Sequence, residues 1–65
     1  MRQSLEEILM AFFMEHESES FFVQEISEHF GFTASKDFKI LVKQLADLED
    51  SGKIVLTRHC KFGFN

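Results

Sequence analysis

SKDFKILVKQLADLEDSGKIVLTRHCKFGF, residues 35–64, is the stretch whose reading decides the fold of this chain. Phe38, Leu41, Val42, Leu45 and Leu48 recur at helical steps of three and four, with a single step of one. That spacing lines them along one helix face, so the segment is read as an amphipathic helix buried on that side. Lys36, Lys39 and Lys43 follow the same period along a different face. Gly52 stands where a helix ends on a left-handed residue. Beyond it Ile54 and Leu56 alternate with Val55 and Thr57, and Phe62 and Phe64 alternate around Gly63, the signature of a β-hairpin. A helix leading directly into a hairpin is the second half of a winged helix. The expected fold is therefore α+β: a small winged helix-turn-helix of three helices, a C-terminal hairpin wing and a short strand near residues 20–22.

The residues upstream supply the missing half. Ser4 and Glu7 have the spacing of a capping box, in which the serine accepts from the Glu7 amide and the glutamate reaches back. Leu5, Ile8, Leu9 and Phe12 then mark a buried helical face that ends near Glu15 or His16, with Phe13 joining from its edge. Met10 and Met14 lie on the flank, either completing the core stripe or offering an adaptable contact patch. EHESES, residues 15–20, reads as a solvated connection. Val23, Ile26 and Phe30 define a short second helix whose Gln24, Glu25, Ser27 and Glu28 face water. Gly31 stops it, and Phe32 packs back on the core. Thr33 and Ser35 are alternative N-caps for the third helix.

Sixty-five residues make one domain. A chain of this length buries only about 60% of its unfolded surface, so its core must be dense, and nine phenylalanines provide the density. One cysteine, Cys60, excludes an internal disulfide and fits a reducing, cytoplasmic setting. The longest apolar run covers residues 8–14, far short of the roughly 18 residues of a membrane span. The net charge of −4 is unevenly spread. Residues 1–35 hold one base against seven acids; residues 36–65 hold six bases against four acids. Positive charge thus concentrates in the third helix and the hairpin.

The lysines of the third helix are unfavourable to the helix itself, because its macrodipole prefers acids at the N-terminus and bases at the C-terminus. Asp47, Glu49 and Asp50 oppose the dipole at the other end. Either the lysines are a solvated surface, partly offset by the Lys43 and Asp47 pair four residues apart, or they meet phosphates. Arg58, His59 and Lys61 near the hairpin tip, followed by Phe62 and Phe64, interleave bases with aromatics in a way suited to single-stranded nucleic acid. A small domain needs its phenylalanines inside, so the tip cations are the better candidates and Phe62 the weaker one. His59 and Cys60 are adjacent, so in a strand they would face opposite sides and could not share a tetrahedral metal site. No phosphate loop, nucleophile elbow or convergent carboxylate pair is present in the sequence, and no catalytic or metal-ligating residue is assigned.

These same residues resemble a known domain. The pattern FK.LVK.L..LE..G.IV.TR..KFG over residues 38–63, with Val23-Gln24-Glu25-Ile26 upstream, is similar to the N-terminal winged-helix domain of bacterial ribonuclease R. The resemblance implies one domain of a longer 3′-to-5′ exoribonuclease, whose cold-shock-like modules and magnesium-dependent nuclease domain lie elsewhere. It implies a non-catalytic role without a cofactor of its own: helping to engage structured RNA, weakly and without sequence preference, beside the rest of the nuclease. Lys39, Lys43, Arg58, Lys61 and Phe62 match the pattern. Leu56 departs from it where a base is expected, Phe62 replaces a tyrosine, and Phe22 replaces a capping threonine, which predicts a less firmly started second helix.

Two other functions compete. A DNA-binding regulator would read the major groove with the third helix, yet that helix offers lysines and a single amide side chain, Gln44, which makes poor base readout. A protein-docking winged helix would instead use Met10, Met14 and the acidic first half.

Overall fold

The computed structural model describes residues 4–65. The chain runs α1 (Leu5–Glu15), β1 (Ser20–Phe21), α2 (Val23–Phe30), α3 (Ser35–Asp50), β2 (Ile54–Leu56) and β3 (Phe62–Phe64). The strands form one antiparallel sheet in the order β1-β3-β2, so the C-terminal strand is central. Three helices and this sheet are the winged-helix architecture that the hairpin and glycine stops predict.

Local signals set most of the boundaries. The Glu7 amide donates to the Ser4 hydroxyl at 3.2 Å, and that hydroxyl donates to the Glu7 carboxylate at 3.3 Å. The glutamate thus reaches back to the serine side chain, stabilising the start of α1. Gly31 and Gly52 take φ values of 74° and 80°. Each allows the next amide to turn back on its helix, Phe32 N–H to the Ser27 carbonyl and Lys53 N–H to the Leu48 carbonyl. Phe22 is the N-cap of α2 and not part of β1. Its side chain has no acceptor, but its amide donates to the Glu25 carboxylate at 2.9 Å, so the missing threonine is half replaced.

The start of α3 departs from expectation. Its N-cap is Ala34, with no side-chain cap, so neither Thr33 nor Ser35 performs that task. The helix is held by its buried side chains, Leu41, Leu45 and Leu48, which join Leu9, Phe12, Phe13, Ile26 and Ile54 in one core. Phe13 is fully buried and not an edge residue, because α1 presents its face to both α3 and the sheet. Val42, expected on the buried face, is 42% exposed; the helix turns it to the rim of the stripe, where no element covers it. Ser27, expected in water, is 7% exposed and donates to the Phe32 carbonyl at 3.3 Å. The turn after Gly31 folds back over it.

In the sheet, Phe21 pairs with Phe62 and Phe62 with Leu56, while Phe64 pairs with Ile54. Strand alternation places this set on the core side. Leu56 is nevertheless 48% exposed, one row nearer the wing tip than buried Ile54. On the opposite face Gly63 lies between Ser20 and Val55, and an added Cβ would stand 3.3 Å from the Glu19 carbonyl and 3.5 Å from the Ser20 Cβ. Gly63 is what lets β1 approach the hairpin so closely. No helix among the described residues is long and apolar enough to cross a membrane.

Candidate nucleic-acid interface

The α3 cations are arranged by helical period alone. Lys36, Lys39 and Lys43 are all exposed on one stripe, with half-exposed Ile40 beside them. Lys43 and Asp47, spaced to compensate one another, do not close an ion pair. Among the described residues the ion pairs are Lys53 with Glu6 at 2.7 Å and His16 with Glu19 at 3.2 Å. The first ties the start of the hairpin to α1, with both partners about half exposed, so it contributes at most about 1 kcal/mol. The three lysines therefore stand with their charge uncommitted.

The wing cations are arranged by turn chemistry. Thr57 N–H donates to the Lys61 carbonyl at 2.8 Å and Cys60 N–H to the Thr57 carbonyl at 3.0 Å, closing a tight turn over residues 57–61. The Thr57 hydroxyl accepts from the amides of His59 and Lys61, at 3.3 and 3.2 Å. Threonine thus organises the loop that displays Arg58 and His59, both exposed. His59 and Cys60 lie in this turn and not in a strand, and Cys60 adopts a left-handed φ of 63°. Their opposed-face argument does not apply. Among the described residues no three His, Cys, Asp or Glu side chains converge as a metal site would require.

Lys61 is partly buried, and its Nζ lies 4.9 Å from the centre of the Phe22 ring. This cation–π contact ties the end of the wing turn to the N-cap of α2. Phe22, 44% exposed, was invisible as a site residue in the sequence, where it counts only as a missing cap. Phe62 is half-buried and packs against the core, so its ring is chiefly structural.

α2 and α3 enclose an open groove of about 490 Å³. Gln24 and Glu28 line it from α2, Phe32 and Thr33 from the turn, and Ser35, Phe38 and Lys39 from α3. At the start of α2, Phe22 meets Lys61 of the wing turn, and Gln24 lines the same groove as Lys39. Periodicity could not reveal this groove, because it exists only where two helices and their turn meet. No family model matches the chain, and no curated protein matches it either.

Proposed function

We propose that this chain is a cytoplasmic, non-catalytic RNA-engaging winged helix, the N-terminal accessory domain of a ribonuclease R-like 3′-to-5′ exoribonuclease. The observation that carries the reading is the set of three exposed lysines on α3 that close no ion pair among the described residues, in a chain that places seven of its eleven acids in residues 1–35. Lys36 in the first turn opposes the helix dipole, and none of the three lysines contributes to the core; phosphates are a partner that suits such a stripe. Arg58 and His59 at the wing turn add a second cationic contact, and Lys61, held over Phe22, sets the wing's position.

The contacts are few and the body is net negative, so binding is modest and sensitive to salt. With about four phosphates engaged, log affinity falls against log salt with a slope on the order of −3 to −4. Titration with duplex RNA carrying a 3′ overhang, read by amide shifts, tests the assignment. Shifts are expected at residues 36–43 and 58–62. Shifts that avoid both segments defeat it.

A second reading is favoured by Met14, 57% exposed at the end of α1 while Met10 packs against the core. In that reading α1 docks on the body of the parent nuclease. Met14→Asp then weakens association with the rest of the enzyme while leaving RNA titrations of this domain unchanged.

A further inference from the structure

The α2–α3 groove differs in chemistry from the open cationic stripe beside it. Its volume of about 490 Å³ falls within the roughly 300–1,000 Å³ of small-molecule sites. Two half-buried aromatic rings, Phe32 and Phe38, line it, and Lys39 and Glu28 bring opposite charges that close no ion pair. The hydroxyls of Ser4, Ser27, Ser51 and Thr57 all bond within the protein. Those of Ser18, Ser20, Thr33 and Ser35 have no such partner among the described residues, and of these Thr33 and Ser35 line the groove and flank an uncapped helix start.

We propose that this groove holds one unstacked nucleotide of single-stranded RNA whose base carries an exocyclic amino group. Glu28 accepts from that amino group, Lys39 meets the phosphate, and the rings of Phe32 and Phe38 contact the base. A carboxylate only accepts hydrogen bonds, so it selects bases that donate. Adenine, cytosine and guanine present an amino group on the edge used for pairing. Uracil presents there a single N3–H between two carbonyl oxygens, so a carboxylate that approaches that donor meets oxygen on both sides, whereas an amino group leaves one side open. Single-stranded RNA is read in this manner generally, by stacking on aromatic rings and hydrogen bonding along base edges. The inference rests on the RNA reading above and narrows it: the duplex is held by exposed lysines, while the overhang supplies the base.

The test is titration of the 65-residue chain with the RNA tetranucleotides A4, C4 and U4, followed by amide shifts and anisotropy. A4 and C4 are expected to bind about tenfold more tightly than U4. They should move the amides of Gln24, Glu28, Thr33 and Ser35. Glu28→Gln, at an exposed position, should erase the preference, since an amide both donates and accepts. Equal affinity for all three oligonucleotides, with the groove amides still, overturns the groove assignment and leaves the wider RNA reading intact. The two readings also separate in the other direction. Movement of the groove amides by adenosine monophosphate, with residues 58–62 unmoved by any RNA, supports the groove while the wider reading fails.

Discussion

α1 and α3 are built on opposite plans. α1 opens with Ser4 as a cap, places Glu6 and Glu7 in its first turn, and so begins in agreement with its dipole. α3 opens with Ala34, which caps nothing, has Asp37 as its first-turn acid between Lys36 and Lys39, and carries Asp47, Glu49 and Asp50 late. Each misplaced charge at a helix end costs about 0.3–1 kcal/mol, and a missing cap about 1 kcal/mol. α3 forms regardless, because Leu41, Leu45 and Leu48 are fully or almost fully buried against α1, α2 and the sheet. Helical stability in proteins comes mainly from such packing. The difference teaches that α3 owes its helical state to its buried face and not to the charges at its ends.

The contrast can be broken most forcefully from inside. Leu45→Ala should remove about 2–5 kcal/mol, comparable to the whole stability of a domain this small, and abolish the cooperative thermal transition seen by circular dichroism. Retention of a sharp transition would mean that α3 does not depend on its core face. Next in size are the caps. Ser4→Ala should destabilise by about 1 kcal/mol, whereas Ala34→Ser should stabilise by about as much, a shift in Tm of about 4–8 °C in each direction. If Ala34→Ser leaves Tm unchanged, the start of α3 is satisfied by some other route.

The wing offers a related comparison. Gly31 and Gly52 occupy left-handed positions without strain, but Cys60 does so with a Cβ, at a cost of about 1 kcal/mol. Cys60→Gly should therefore raise the denaturant midpoint without changing its slope. Smallest in stability and most telling in function is Lys36→Glu. It should stabilise the helix by about 0.3–1 kcal/mol and yet weaken RNA binding, lowering the magnitude of the salt slope by about one unit. A variant that gains stability and keeps its full affinity would remove Lys36 from the interface.

Ser4, Gly31, Gly52 and the alternation of 54–64 act over a few residues, through capping geometry, left-handed backbone and strand period. For that reason the order of elements and most of their ends could be read from the chain alone. The same holds for the lysine stripe of α3 and the cationic turn at 58–61, since a helical period and a hairpin suffice to place them. Which rim residues are covered was settled only when elements met. Val42 lies uncovered and Phe13 is sealed because of where α1 and the sheet come to rest, and Ser27 is buried by the turn that follows Gly31. The lodging of Lys61 on Phe22, 39 positions apart in the chain, and the groove between α2 and α3 belong to the tertiary structure alone. Both depend on distances between segments, and no local propensity encodes those.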